Sequence, residues 1–218
     1  MPAQLYYITD RRQFPGGPVE QERRLLLKVA ECAAAGVDYI QLREKDLGGR
    51  ALEELAHKAM AALGSSRTRL LINSRTDVAL AAGTDGVHLP AHDLPASEVR
   101  AIFARAGFSR AHVGALVISA SAHSEEDIAY AESHGANLAI FAPVFEKSGT
   151  ANPSGPELLR QVCRRTHAAA SPIPIFALGG ITPENADQCR QAGVAGIAGI
   201  RLFQQNGVQE IVRQLRGK

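Results

Sequence analysis

The 218-residue sequence contains no long apolar run, and its first residues do not have the pattern of a leader segment. No apolar run reaches the roughly 18 residues that a membrane-spanning helix needs. The first residues, MPAQLYYITDRRQF, do not form a basic segment followed by an apolar one, so we expect no signal peptide. These absences favour a cytoplasmic protein that does not interact with a membrane.

The sequence is also poor in cysteine and in excess charge. Its three cysteines, Cys32, Cys163 and Cys189, have no CxxC spacing, which predicts free thiols in a reducing compartment instead of disulfides or a zinc site. The net charge of +2 is too balanced to favour nucleic acid as a partner. Hydrophobic residues make up 45% of the chain and charged residues 21%, as in an ordinary globular protein.

Apolar strand-like runs alternate with amphipathic helix-like runs along the chain, with no linker between them. The predicted strands cover residues 5–10, 39–44, 69–73, 86–90, 112–119, 137–145, 173–180 and 196–201. The predicted helices cover residues 20–36, 51–64, 75–83, 95–105, 125–135, 156–167, 183–193 and 208–215. Eight apolar strands, each followed by a helix, predict a single α/β domain over residues 1–218, a (β/α)8 TIM barrel. A doubly wound open sheet is the alternative fold.

In a TIM barrel the active site lies at the carboxyl ends of the strands, so polar residues at these positions are candidates for function. In IQLREKD, Gln41, Arg43 and Lys45 alternate and would share one face of an extended strand. An amide, a guanidinium and an ammonium group on one face predict a site for an anion such as phosphate. The alternative is a surface strand end whose cations pair with Glu44 or Asp46.

Glycines close the last two predicted strands, in the segments ALGGITPEN and GIAGIRLF. Glycine allows backbone N–H groups to approach a phosphate closely, and phosphate binding after strands seven and eight recurs in this fold. We therefore predict a second phosphate site at Gly179, Gly180 and Gly199. The alternative is a pair of tight turns without a ligand.

The loops after strands five and six carry further candidates. Ser121 could donate to a phosphate, and His123 is either a catalyst or a loop histidine whose hydrogen bonds are satisfied. Ser124 and Asp127 have the spacing of a capping box, which indicates a structural role for Ser124. The polar segment FEKSGTANPSG predicts a mobile lid that brings Lys147 or Thr150 over a ligand, the alternative being a disordered connection.

Two residues bear on metal binding. Asp93, in HLPAHDLP, is predicted to cap the fourth helix, to supply an oxygen ligand for Mg²⁺, or to do both. Ser74, in LLINSRTDVAL, has Asp77 three residues later, a pattern that predicts a cap for the third helix. No Ser-His-Asp order, pair of metal-binding histidines or dinucleotide-binding fingerprint suggests another chemistry.

The sequence resembles the thiamine phosphate synthase and thiazole tautomerase superfamily over nearly its whole length. The resemblance rests on the segments YYITD, GVDYIQLREKD, INSRTDVALAAGTDGVHLP, SAHS, APVFEKSG, FALGGITPEN and AGVAGIAGI. It implies a compact barrel, and synthases of this kind join hydroxymethylpyrimidine diphosphate to thiazole phosphate with release of pyrophosphate, using Mg²⁺. The residues implied to face the pyrimidine diphosphate are Gln41, Arg43, Lys45, Asn73 and Ser121. Those implied to hold the thiazole phosphate are Gly179, Gly180, Gly199 and Ile200.

With this resemblance we predict catalytic residues, substrate-binding residues and a metal ligand besides the glycine pocket. The predicted catalytic residues are Arg43, Lys45, Ser121 and Lys147. His123 joins Gln41 and Asn73 as a predicted substrate-binding residue, and Asp93 is the predicted ligand of Mg²⁺.

The sequence departs from the synthase pattern at a metal-binding position. Synthases have Asn-Asp-Arg where this sequence has Asn73-Ser74-Arg75, and the aspartate helps to hold Mg²⁺. Their His-Leu-Gly-Gln segment is His-Leu-Pro-Ala here, and their Thr-x-Thr-Lys pattern after strand six is not matched by FEKSGT. Ser74 is therefore interpreted as a missing carboxylate.

Three hypotheses follow from the resemblance. The first is a thiamine-phosphate synthase or a close relative, which is preferred because most of the pocket is present. The second is a thiazole tautomerase acting on the thiazole carboxylate phosphate, and the third is a non-catalytic phosphate-binding paralogue. The expected partners are small phosphorylated substrates, with no nucleic acid or membrane and with a homodimer left open.

Overall fold

Eight parallel strands close into a barrel in chain order, and the last strand pairs with the first. The computed structural model of the protein describes residues 3–108, 115–145, 153–167 and 172–217. The strands are β1 Gln4–Ile8, β2 Tyr39–Leu42, β3 Arg69–Asn73, β4 Gly86–Leu89, β5 Val117–Ala122, β6 Leu138–Phe141, β7 Ile175–Ala177 and β8 Gly196–Gly199. This architecture confirms the predicted (β/α)8 TIM barrel and excludes the doubly wound open sheet.

Helices follow the strands around the outside of the barrel. They are α1 Pro18–Ala34, α2 Gly49–Leu63, α3 Thr76–Ala82, α4 Ala96–Arg105, α5 Glu125–Ser133, α6 Gly155–His167, α7 Ala186–Ala192, α8 Arg201–Gln204 and α9 Val208–Arg216. A 3₁₀ turn, Arg11–Gln13, comes between β1 and α1. Within the described part of the chain, no helix has the length and apolar character needed to cross a membrane.

Two apolar layers explain why the strands read as continuous apolar runs. Tyr6 and Ile8 of β1 belong to the cluster inside the barrel. Leu5 and Tyr7 of the same strand belong to the cluster between the strands and the helices. Because successive side chains of a strand point to opposite faces, a strand buried on both faces has no polar alternation.

Only β3 has its predicted limits; the other seven strands differ from theirs by one residue or more, and β2 and β5 show why. β2 was predicted to run to Glu44 but ends at Leu42, because the backbone N–H of Arg43 donates to the side-chain oxygen of Thr9 at 2.9 Å and the ladder stops. β5 was predicted over residues 112–119, of which 112–114 lie outside the described residues. It extends instead to Ala122, since its small residues pair in register with β6.

Candidate active site

A connected set of buried and half-buried polar side chains from β1 to β5 leads toward the carboxyl ends of the strands. Tyr6 donates to Gln41 Oε1 at 3.2 Å, and Gln41 Nε2 donates to Asn73 Oδ1 at 2.8 Å. On its other side, the Tyr6 hydroxyl is 3.1 Å from Ser119 Oγ. We refer to this set, together with the two residues described next, as the polar relay: Tyr6, Gln41, Asn73, Ser119, His88 and Ser121.

His88 connects the two serines of the polar relay. Its Nδ1 is 2.8 Å from Ser119 Oγ and its Nε2 is 2.9 Å from Ser121 Oγ. Burial, with a smaller contribution from the positive charge of Arg43, lowers the pKa of His88 to about 3. The imidazole is therefore neutral at physiological pH, with both ring nitrogens hydrogen-bonded.

The polar relay changes the expected role of one predicted substrate-binding residue. Gln41 was expected to face the ligand, but it is buried beneath Asn73, with only 1% of its surface exposed. Asn73 and Ser121 are half-buried and form the two accessible ends of the relay. Gln41 thus contacts Asn73 and has almost no surface of its own at the mouth.

Arg43 and Lys45 follow β2 instead of lying in it, so they do not alternate along a strand as predicted. Arg43 is half-buried and Lys45 is exposed. Neither side chain forms an ion pair with another described residue. The alternative interpretation, in which they pair with Glu44 or Asp46, is wrong.

Glu44 and Asp46 are bound by Arg11. The Arg11 guanidinium donates to Glu44 Oε2 at 3.0 Å and to both Asp46 oxygens at 2.8 Å. Thr9 donates to Glu44 Oε1 at 2.6 Å, and the backbone N–H of Arg11 also donates to this carboxylate. We call these four residues the Arg11 clamp. Hydrogen bonding to Asp46 is the main reason that the pKa of Arg11 is raised, and the clamp keeps both acids away from the neighbouring cations.

Ser74 and Asp93 are brought together by the fold. Ser74 Oγ donates to Asp93 Oδ2 at 2.7 Å, and the backbone N–H of Leu94 donates to Asp93 Oδ1 at 2.8 Å. Both capping predictions are wrong, because the residue preceding α3 is Arg75 and the residue preceding α4 is Pro95. Ser74 instead uses its hydroxyl to tie the loop after β3 to the loop after β4.

The small number of acidic side chains around Asp93 limits how Mg²⁺ could bind. Among the described residues, no three His, Cys, Asp or Glu side chains are grouped closely enough to share a metal ion. Mg²⁺ is commonly held by one or two carboxylates together with substrate phosphates. Asp93 therefore fits as one protein ligand of an ion that is otherwise held by phosphate oxygens and water.

The predicted glycine pocket lies at the ends of β7 and β8. Gly179 has a φ of +101°, and a Cβ atom there would lie 2.8 Å from the Cα of Pro143. A side chain at Gly199 would meet Leu202 of α8, again at 2.8 Å. The backbone N–H groups of Gly180 and Ile200 donate to no other described residue, so both are free to bind an anion.

One predicted substrate-binding residue lies outside the polar relay. His123 is exposed, and its Nδ1 lies 2.7 Å from the carbonyl oxygen of Ala142, so its ring binds the end of β6. Ser124 caps α5 in a capping box with Asp127, as predicted. Lys147 lies outside the described residues, as does most of the predicted lid.

Several functional candidates were missed by sequence reasoning. His88 and Ser119 stand at predicted strand ends but were given no role, and Tyr6 and Arg11 were not considered. The alternation of Ser119 and Ser121 in a strand that faces the barrel interior was the available pattern. The roles of Tyr6 and Arg11 depend on contacts between separate strands, and no local pattern indicates them.

Comparison with known proteins identifies the family. The profile of the family described as thiamine monophosphate synthase matches residues 5–203. The chain belongs to this family. Both the compact barrel and the family that the resemblance implied are therefore confirmed.

Individual members of the thiamine monophosphate synthase family are similar along most of the chain. A protein of Aquifex aeolicus provisionally named thiamine-phosphate synthase 2 is 38% identical over 91% of this chain and 96% of its own length. The thiamine-phosphate synthase of Methanoculleus marisnigri is 34% identical over 98% and 94%. The structure of thiamine phosphate pyrophosphorylase from Pyrococcus furiosus superimposes with a TM-score of 0.77 at 30% identity, covering 98% of this chain and 94% of that one.

Proposed function

We propose that the protein is a thiamine-phosphate synthase, a transferase of thiamine biosynthesis. It joins hydroxymethylpyrimidine diphosphate to thiazole phosphate and releases pyrophosphate. Membership of the family supports this proposal, as do the synthase names of relatives at 34% to 38% identity. The comparisons do not favour the tautomerase or the non-catalytic paralogue.

One structural observation carries the proposal: Arg43 and Lys45, the cations that follow β2, do not pair with the acids next to them in sequence. Arg11 pairs with both Glu44 and Asp46, so Arg43 and Lys45 form no ion pair with these acids and keep their charge for a ligand. A half-buried guanidinium with no described carboxylate partner is costly unless an anion compensates its charge. A diphosphate supplies that charge, and Arg43 can contact two of its oxygens at once.

The remaining residues follow from this placement. Asn73 and Ser121 line the pyrimidine side of the mouth, and the free N–H groups of Gly180 and Ile200 hold the thiazole phosphate. Gly179 and Gly199 allow the backbone to approach. Lys147 remains a predicted catalytic residue and His123 a predicted substrate-binding residue.

The reaction breaks the bond between the pyrimidine methylene carbon and the diphosphate oxygen. Pyrophosphate leaves with the bonding electron pair, and the thiazole nitrogen donates its lone pair to form the new carbon–nitrogen bond. Arg43 and Lys45 bind the negative charge that builds up on the leaving group, and such preorganised charge lowers the barrier in a site shielded from water. Binding both substrates in one mouth also orients the nitrogen toward the carbon.

We further propose that Asp93 would supply the protein carboxylate for a Mg²⁺ ion bound together with the diphosphate. When bound, the ion would neutralise part of the diphosphate charge. Ser74 contributes a hydroxyl where a second carboxylate would otherwise stand, so the ion depends more strongly on the substrate. The buried free thiols Cys32, Cys163 and Cys189 support a reducing, cytoplasmic compartment.

The test is to mix purified protein with both phosphorylated substrates, with and without Mg²⁺, and to follow thiamine phosphate and pyrophosphate. We expect both products in equal amounts, with the rate falling at least 100-fold in Arg43→Met, the loss expected when a positioned charge is removed. Arg50→Met is the matched control, because Arg50 lies on the exposed face of α2. The absence of both products from the parent protein would contradict the proposed function.

A further inference from the structure

The peptide group between Asp10 and Arg11 is held from both sides. Its carbonyl oxygen, which belongs to Asp10, accepts a hydrogen bond from Gln204 Nε2 at 3.0 Å. Its N–H group, which belongs to Arg11, donates to the two carboxylate oxygens of Glu44 at 3.2 and 3.1 Å. Because the C=O and N–H groups of a planar trans peptide point in opposite directions, Gln204 and Glu44 lie on opposite sides of one rigid unit. This peptide therefore joins α8 to the segment that follows β2.

The Gln204 amide is turned toward Asp10 at a cost. A carbonyl oxygen can only accept, so the amide must present its Nε2 to Asp10. Gln204 Oε1 is then buried without a hydrogen-bond partner among the residues that the structure describes, which is unfavourable. The Asp10 oxygen also accepts from the backbone N–H of Gln13 at 3.1 Å, so it keeps a partner even without Gln204. The contact between Gln204 and Asp10 therefore points to a role in positioning the two segments.

Gln204 lies one helical turn after Ile200, whose N–H group is proposed to hold the thiazole phosphate. The backbone N–H groups of Phe203 and Gln204 both donate to the Ile200 carbonyl oxygen, at 3.2 and 3.0 Å. The Phe203 ring is fully buried and packs against Tyr7 of β1, with the ring centroids 5.8 Å apart. This turn therefore moves as one unit, and the contact of Gln204 with Asp10 determines where it lies relative to the loop after β1.

The segment after β2 is attached to the same loop. Glu44, which accepts from the N–H group of Arg11, is the neighbour in sequence of Arg43. Thr9 donates to Glu44 Oε1 at 2.6 Å, and its own oxygen accepts from the backbone N–H of Arg43 at 2.9 Å. Arg43 is the proposed ligand of the diphosphate. The backbone that carries it is therefore fixed to the loop that Gln204 holds from the other side.

We propose that Gln204 is a positioning residue that, through the Asp10–Arg11 peptide, sets the location of the thiazole-phosphate site relative to the diphosphate site. The inference rests on the proposed function. Bond formation requires the thiazole nitrogen to lie about 3–3.5 Å from the pyrimidine methylene carbon, and a misplacement of about 1 Å can slow a reaction about 100-fold. Since each substrate has its own anion site, a shift between the two sites leaves both substrates bound but takes the reacting atoms out of line. Gln204 therefore affects turnover more than affinity.

The first test examines the contact itself and needs no substrate. Exchange of the Arg11 amide hydrogen is measured by NMR in the parent protein, in Gln204→Met and in Gln205→Met. Methionine has a similar length but no N–H group, and Gln205, the exposed neighbour in sequence, is the matched control. We expect the Arg11 amide to exchange at least about tenfold faster in Gln204→Met than in the control, because its peptide is then held from one side only. Equal exchange in the two variants overturns the inference.

The second test separates turnover from affinity. Pyrophosphate release is followed while each phosphorylated substrate is varied, and urea unfolding shows that every variant is folded under the assay conditions. We expect the kcat of Gln204→Met to fall about tenfold while both KM values stay within about threefold of those of the parent. A residue with a merely structural role would lower the unfolding free energy and leave kcat unchanged. An unchanged kcat, or a rise of KM alone, overturns the inference.

Two further variants keep this test decisive. Gln204→Leu also lacks a donor and should reproduce the loss of kcat even if Gln204→Met does not fold. Gln204→Lys restores a donor that can reach the Asp10 oxygen, so it should recover most of kcat, and a Lys variant as slow as the Leu variant contradicts the role of this hydrogen bond. If the parent forms product and all three variants match it, the inference fails while the proposed function stands. If the parent forms no product, the proposed function itself fails.

Discussion

At the scale of single residues, Ser74 has an unusual backbone conformation. Its φ of +62° lies in the left-handed region, which favours glycine, asparagine and aspartate over serine. Its hydroxyl donates to Asp93 at 2.7 Å, so an aspartate at this position would stand beside a second carboxylate. The backbone is therefore suited to the residue that synthases carry, although the side chain differs.

Ser74→Asp should strengthen Mg²⁺ binding in the presence of the diphosphate substrate. Two adjacent carboxylates attract a divalent cation more strongly than one, and we expect the Mg²⁺ concentration for half-maximal rate to fall about tenfold, or about 1.4 kcal/mol. The measurement is a Mg²⁺ titration of pyrophosphate release. Ser74→Asn is the matched control, since it is equally compatible with the backbone but neutral. Equal behaviour of the two variants would count against a metal role for this position.

His88 should make the protein sensitive to acid. Its pKa in the folded protein, about 3, is below its ordinary value of 6.5, so the stability due to the neutral ring is present above pH 6.5 and is lost as pH falls toward 3. From pH 7.5 to pH 5 the parent should lose about 2 kcal/mol of unfolding free energy that His88→Gln does not lose. Urea unfolding at both pH values measures this difference. His57→Gln, at an exposed position on α2, controls for removal of a histidine. Parallel losses in parent and His88→Gln would refute the prediction.

At the scale of elements, the Arg11 clamp joins the segments that follow β1 and β2. The Glu44 side chain in this clamp is 1% exposed and that of Arg11 is 9% exposed, whereas Asp46 is 39% exposed. Burial raises the pKa of Glu44, while hydrogen bonds from Thr9 and Arg11 favour its ionised form. The clamp therefore joins two segments of the barrel and, under the proposed function, leaves Arg43 and Lys45 unpaired for the diphosphate.

Arg11→Met should affect both properties. It leaves Glu44 as a buried charge without its partner, which costs about 3–5 kcal/mol of unfolding free energy. It also frees Asp46 to pair with Lys45, so the affinity for pyrophosphate should fall. Urea unfolding and calorimetry measure the two effects. Adding Glu44→Gln and Asp46→Asn should restore pyrophosphate binding. If the triple variant binds pyrophosphate no better than Arg11→Met, Arg11 does not act by keeping these acids from Lys45.

The exposed Arg12 provides the comparison for the clamp. Its side chain is 64% exposed, against 9% for Arg11, although the two residues are adjacent in sequence. Arg12→Met should change the unfolding free energy by less than about 0.5 kcal/mol. A similar loss from both variants would show that charge alone, and not the buried clamp, is responsible.

At the scale of the whole molecule, stability depends on filling the barrel interior. Leu71 of β3 is fully buried there with Tyr6, Ile140 and Phe176 from other strands. Leu71→Ala should cost about 3–5 kcal/mol, because the cavity lies inside a closed barrel that cannot collapse easily. Leu27→Ala, at a position of α1 that is 57% exposed, should cost less than about 0.5 kcal/mol. Thermal or urea unfolding compares the two variants, and similar costs would contradict this account of the core.

Much of the fold was predictable because it depends on local pattern. β3 was predicted with its observed limits, Arg69–Asn73, since an apolar run ends there at polar residues. β2 was predicted two residues too long, because the side chain of Thr9, 34 positions away from Arg43, ends its ladder. The single domain over residues 1–218 stays a prediction, as does the role of Lys147.

The sequence by itself determined the number of strand–helix units and the residues that stand at the strand ends. Both depend on residues that are close in sequence, because a strand buried on two faces is a continuous apolar run and a helix ends at nearby polar residues or glycine. Only the tertiary structure decided which of those residues act together. Tyr6 and Ser119, which meet in the polar relay, are 113 positions apart, and Ser74 and Asp93 are separated by 19. Such partners are chosen by strand register and barrel closure, which bring the carboxyl ends of different strands to one mouth.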